Sequence, residues 1–201
     1  MKQRSQQNDR RETVLKPDKA LLLAAYGKRV PDIVEPGLKV LFVGINPGLY
    51  SGAVRHHFAR PGNRFWPVLY KAGLTKRQLS PFEEKDLLRE GYGITNIVAV
   101  ATATADELDL RDLARGGRRL AAKIRRFRPC VVAILGLKAF RLAFKRPDAV
   151  FGPQEERIGT SRIWVLPNPS GLNASYQLPE LAKMFRKVRI AGNRTDRTQM
   201  K

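Results

Sequence analysis

The apolar run Val40-Leu41-Phe42-Val43, halted at Gly44 and followed by Ile45-Asn46-Pro47-Gly48, constrains the fold more than any other stretch. Four successive apolar residues leave no polar face. A strand built from them must be covered on both sides, as in a parallel sheet flanked by helices. A second apolar run at 163–166 also enters an Asn-Pro turn, at Asn168-Pro169, with Ser170-Gly171-Leu172-Asn173 behind it. In open α/β sheets the carboxyl ends of the strands border the crevice where ligands bind, so both turns fall where chemistry is done and can face each other across one cleft. Pro47 fixes its own φ and restricts Asn46 before it, which holds that amide in one orientation. Taken alone, Asn-Pro-Gly is also ordinary turn chemistry.

The rest of the chain alternates strand and helix signals around this anchor. Short helical periodicity at 20–26 precedes a two-proline linker at 30–36, and 49–62 reads as loop. Asn63 is placed to cap a helix carrying Phe65, Trp66, Val68, Leu69 and Ala72, and 80–90 predicts a helix with Ser80 and Glu83 in capping-box spacing. Strands are predicted at 93–100, 131–136 and 163–166, the last after a hairpin near Gly159, and helices at 110–127, 137–144 and 178–188. A long helix is read at 110–127, and from Arg115 to Arg128 the chain carries seven cationic side chains, for which a solvated face is the plain alternative. This order gives an α/β fold, a three-layer α/β/α sandwich with a mainly parallel central sheet. One domain at 17–191 is expected, between disordered basic ends at 1–16 and 192–201.

Charge narrows the function classes. The 201 residues hold 38 basic and 18 acidic side chains, a formal +20, more than solubility requires and suited to a polyanion such as nucleic acid. No apolar run has the length of a spanning helix and no signal peptide is apparent, so we expect a cytoplasmic, nucleoid-associated protein with no membrane partner. Cys130, the only cysteine, opens the run at 131–135 and is expected to be a buried, inert thiol.

The segments KVLFVGINPG, FARPGNRFW at 58–66 and IWVLPNPSGLN closely resemble the mismatch-specific uracil-DNA glycosylases and their thymine-DNA glycosylase relatives, over roughly residues 36–190. The resemblance implies excision of uracil from double-stranded DNA mismatches by a monofunctional glycosylase that flips the base out of the helix. It also implies a site that needs no cofactor. With no obligate protein partner indicated, a monomer is expected. Such a site must hold the flipped base, place a water behind the sugar carbon, stabilise the departing anion and fill the gap in the stack. By resemblance, Asn46 positions the water. An amide orients water but barely deprotonates it. Ile45 contributes backbone contacts, Phe58 stacks on the flipped ring, and Ser51 and Asn168 join them as substrate contacts. Asn96 matches the amide that reaches the pyrimidine edge, with satisfaction of backbone groups at a strand end as the alternative.

The turn with Ser170, Gly171, Leu172 and Asn173 matches the DNA-binding insertion loop, whose leucine fills the space left by the flipped nucleotide. Ala174 departs from the bacterial pattern, which carries arginine there. Asp106 is a second departure. It lies in the loop leaving the 93–100 strand and is a candidate second catalytic group, with a helix-start acid as the alternative. His56 and His57 are the only histidines, too few with one distant cysteine for a metal site, and are expected near phosphate or the flipped base. A non-catalytic, sequence-independent DNA-binding protein on the same scaffold is the rival reading. It needs neither the water-positioning amide nor the wedge. A Rossmann-type nucleotide enzyme is disfavoured by the missing G-x-G-x-x-G and Walker lysine.

Overall fold

A computed structural model describes residues 16–171 and 173–193. Its elements run α1 (Lys19–Leu23), β1 (Val40–Gly44), α2 (Leu49–Val54), α3 (Phe65–Lys71), α4 (Asp86–Glu90) and β2 (Tyr92–Asn96), then α5 (Leu110–Phe127), β3 (Val131–Leu135), α6 (Leu137–Phe144), β4 (Gly152–Ile158), β5 (Ser161–Leu166) and α7 (Leu178–Asn193). Short 3-10 turns occupy Pro81–Glu83 and Ala105–Glu107. The sheet order is β2-β1-β3-β5-β4, parallel except where β4 pairs antiparallel with β5. This is the expected three-layer α/β/α sandwich.

Alternation along β1 divides the core. Val40 and Phe42 face the layer holding α3 and α7, where Phe42 stacks on Phe185 at 5.6 Å and meets the edge of Phe65 at 5.5 Å. Leu41 and Val43 face α5 and α6, packing with Leu120, Ile124 and Phe140. Each such fully buried side chain stabilises the fold by roughly 1.5–3 kcal/mol relative to exposure. The chain leaves β1 through α2 to α4 toward β2, then returns through α5 to β3 on the other flank of β1. That reversal is a topological switch point, and it opens a crevice at the carboxyl end of β1, where Asn46 lies.

Several local expectations are corrected. Residues 49–54 are helical, because Gly48 supplies an extended cap and Arg55 a left-handed stop. The 80–90 helix is split: the capping box closes a 3-10 turn, and α4 begins only at Asp86. Segment 30–36 is more than a linker, since Ile33 exchanges backbone hydrogen bonds of 2.9 and 2.8 Å with Ile94 along the outer edge of β2. Asn63 precedes the cap position, which Arg64 holds, although its Oδ1 still accepts from the Phe65 N–H at 2.9 Å. Strand β2 ends at Asn96, where the chain turns toward the pocket. Cys130 is exposed, because double coverage begins only with Val131. Helix α7 continues to Asn193, so Gly192 belongs to the domain: a Cβ there would meet Lys39 O at 2.9 Å. The outer parts of both expected basic ends, 1–15 and 194–201, lie outside the described residues.

Candidate active site

The turn after β1 and the turn after β5 face one cavity of about 370 Å³, whose wall includes Ile45, Asn46, Phe58, Asn96, Asp106 and Asn168. Asn46 is anchored by one end of its amide. Its Nδ2 donates to Pro47 O at 3.1 Å, Val100 O at 3.4 Å and Thr102 Oγ1 at 2.7 Å. Two of these partners are carbonyls, which only accept, and Thr102 gives its own proton to Thr104 O at 2.6 Å. Only the NH2 end can therefore face this network. Oδ1 is left as a bare acceptor on the pocket wall, with no hydrogen-bond partner among the described residues.

Asn96 and Phe58 form the opposite wall, and both depend on Gly44. Asn96 pairs in register with Gly44, and a Cβ at position 44 would run into Asn96 Oδ1 and come within 3.2 Å of the Phe58 ring. Phe58 is held at φ 52°, a left-handed backbone uncommon for an aromatic residue, with its ring stacked on Phe65 at 4.1 Å. His57, 2% exposed, sets the sense of the Asn96 amide. Its Nε2 lies 2.9 Å from Pro31 O, which can only accept, so Nε2 carries the proton and Nδ1 accepts from Asn96 Nδ2 at 3.3 Å. Burial pushes the imidazole below its ordinary 6.5, against the pull of Glu84. Glu84, itself 4% exposed, takes the His57 backbone N–H at 2.8 Å and the His56 ring at 2.9 Å. The histidine pair thus divides: His57 lines the pocket and His56 braces the loop.

The second loop is shaped by Arg64. This side chain donates through Nη2 to Ser170 O at 2.6 Å and Asn173 O at 2.7 Å, and through Nη1 to Tyr176 O, while its backbone N–H reaches Pro169 O at 3.0 Å. Asn168 Oδ1 accepts from the Ser170 N–H at 3.0 Å. Asn173 spends both ends of its amide inside the loop, donating to Asn168 O at 3.0 Å and accepting from the Ser175 N–H at 3.2 Å. Gly171 is needed for close approach: a Cβ would lie 2.6 Å from Gly62 O. Ser170 lines the pocket and Gly171 is exposed, while Leu172 lies outside the described residues.

Ile45 lines the cavity with its carbonyl committed to the Val98 N–H at 2.9 Å, and buried Ser51 accepts from the Ala59 N–H at 3.1 Å, bracing the Phe58 loop from within the pocket. Asp106 opens on the same cavity, in the Ala105–Glu107 turn. Its side chain is 84% exposed and paired with Lys138 at 3.1 Å, and the start of α5 is capped instead by Asp109. No cluster of three or more metal-ligating acidic, His or Cys side chains occurs among the described residues. Arg64, Glu84, Thr102 and the Gly44 constraint were not singled out from sequence. Arg64 alone carried a signal, as a charge just before the apolar first turn of a helix inside the FARPGNRFW motif.

A doubly covered parallel sheet, with two Asn-Pro turns facing over its carboxyl edge, gives an α/β/α protein whose pocket is lined by an aromatic ring and two oriented amides. The chain belongs to the uracil DNA glycosylase superfamily, whose family model matches residues 31–189. Its chemistry is therefore that of a DNA glycosylase, a hydrolase of DNA repair acting on DNA.

Proposed function

We propose that this glycosylase is mismatch-specific and monofunctional, acts as a monomer, and releases uracil flipped from G:U pairs in duplex DNA. The observation that carries this reading is the pinned Asn46 amide, whose free Oδ1 shares a cavity with Phe58 and Asn96. Asn46 Oδ1 accepts a hydrogen bond from a water and directs its lone pair toward the sugar carbon. With no strong base there, the barrier falls chiefly through stabilisation of the departing base. Phe58 offers a face to the ring, and stacking of this kind is worth on the order of 1–3 kcal/mol. Asn96, with one N–H held by His57, has Oδ1 to accept from a pyrimidine ring N–H and its second N–H to donate to a carbonyl on which negative charge grows. Asp106 is the second proposed catalytic group, its charge offsetting the positive charge on the sugar.

The test is incubation with duplexes bearing G:U, A:U and G:T and with single-stranded uracil, in chelator, followed by detection of abasic sites. Release from G:U ahead of A:U is expected. Equal release from all uracil substrates removes the mismatch preference, and tight binding without release leaves only a DNA-binding scaffold.

A further inference from the structure

Helix α5 carries a feature that uracil excision does not use. Between its outer face, the edge segment containing Arg29 and the stretch that leaves β2 lies a second cleft of about 590 Å³. Its basic side chains are Arg29, Arg115, Arg119 and Lys123, and its acids are Asp32 and Asp112. Lys123 is already neutralised by Asp32, and Thr95 donates to the same carboxylate at 2.5 Å. The three arginines are exposed and make no side-chain hydrogen bond or ion pair among the described residues. Three uncommitted guanidinium groups around one concavity, against the single carboxylate of Asp112, form a site for anions with planar oxygen pairs, which is what phosphodiesters present.

The placement of the cleft selects the ligand. The residues forming its inner wall, 97–100, are joined to the base pocket on their other side: Val98 N–H donates to Ile45 O at 2.9 Å, and Val100 O accepts from Asn46 Nδ2. Gly116 permits this closeness, since a Cβ there would fall 2.5 Å from Ile97 O. Cleft and pocket therefore share one wall. We propose that Arg29, Arg115 and Arg119 form a second phosphate-binding track that grips the DNA backbone beyond the flipped nucleotide. The proposal rests on DNA as the partner of the pocket.

The test compares two triple variants of the full chain. Arg29→Gln/Arg115→Gln/Arg119→Gln empties the cleft, and Arg125→Gln/Arg126→Gln/Arg128→Gln removes equal charge from the far end of the same helix. Binding to undamaged duplex is measured by fluorescence anisotropy over a salt series. Each lost phosphate contact lowers the log-log slope by roughly 0.9, so the cleft variant is expected to lose about 2–3 and the control under about 1. Equal losses overturn the track, as does an unchanged slope in the cleft variant. Shortening the duplex on one side of the lesion should abolish the difference between wild type and cleft variant once the flank no longer reaches the arginines. A difference that persists on the shortest duplexes, or a defect confined to single-stranded RNA, also overturns it. Uracil release at saturating enzyme is scored separately. Absence of release by the wild type with the slope pattern intact fails the excision reading and leaves the track standing, and loss of release only in the cleft variant places its arginines in the pocket instead.

Discussion

Asn46 shows how neighbours decide what a side chain does. An aspartate there would be the stronger base in water, yet in this frame it would set an oxygen against the carbonyls of Pro47 and Val100. We expect Asn46→Asp to be destabilised by about 1–3 kcal/mol in denaturant melts and to excise no faster than the parent, and Asn46→Ala to lose about a hundredfold in single-turnover rate, ~2.7 kcal/mol of barrier. A faster Asn46→Asp would show that the donor network is dispensable. His57 gives a pH prediction. Protonation puts an N–H where Asn96 now donates, so the amide must turn and withdraw its acceptor from the base. Burial lowers the imidazole pKa, with Glu84 and Asp32 opposing and His56 assisting, so excision should hold at neutral pH and fall only below 6.5. The unfolded chain takes up that proton near 6.5 and the folded chain lower, so folding stability also declines as pH falls between the two values. Excision rates from pH 8 to 5 for wild type and His57→Gln check this, and the same acid limb in both would assign it elsewhere. Asp106 is the weaker electrostatic case, being exposed and paired with Lys138. As a second catalytic group it requires a drop of tenfold or more in Asp106→Ala and none in Lys138→Ala; a change within about twofold in Asp106→Ala leaves Asn46 alone.

Elements carry the next level, and the loop after β5 depends on a helix far from it in sequence. Arg64 opens α3 and reaches three carbonyls of residues 170–176, a geometry suited to a planar fork and not to an ammonium. We predict that Arg64→Ala weakens retention on duplex DNA by about tenfold, with single-turnover excision at saturating enzyme within about threefold, and that Arg64→Lys recovers only part of the loss. A rate collapse with unchanged retention would move Arg64 into the chemistry. Such long-range clamps mark the limit of what was legible in the sequence. Helix α5 and helix α6 were read to the residue because period and caps are local, and the two Asn-Pro turns were read as facing one cleft because strand ends in a parallel sheet share an edge. Helix α2 was missed because its entry has no capping side chain. Glu84 and Thr102 were missed because their partners lie 27 and 56 residues away. The pair Gly116-Gly117, which disfavours a helix by local propensity, is explained only by the backbone of Ile97 and Ala143 pressing on it.

At the scale of the molecule the question is where the charge of +20 does its work. The ends at 1–15 and 194–201 hold seven of the 38 basic residues and three of the 18 acidic ones, so they supply a net +4 and the rest of the chain +16. If both ends contact phosphate, deleting them lowers affinity for undamaged duplex and takes a matching part of the salt dependence. Contacts made by the α/β/α body remain. Since each contact contributes roughly 0.9 to the log-log slope, the doubly truncated protein should keep most of the parental slope while binding more weakly at every salt concentration. Uracil release at saturating enzyme should not change, because Asn46, Phe58 and Asn96 are set by β1, β2 and the loop braced by Glu84. The measurement is a salt titration of full-length and truncated chains on one duplex, with single-turnover excision on the same preparations. A slope that collapses on truncation would place the phosphate contacts on the ends and leave the basic face of α5 as solvated surface; a slope and affinity both unchanged would confine recognition to the body of the fold.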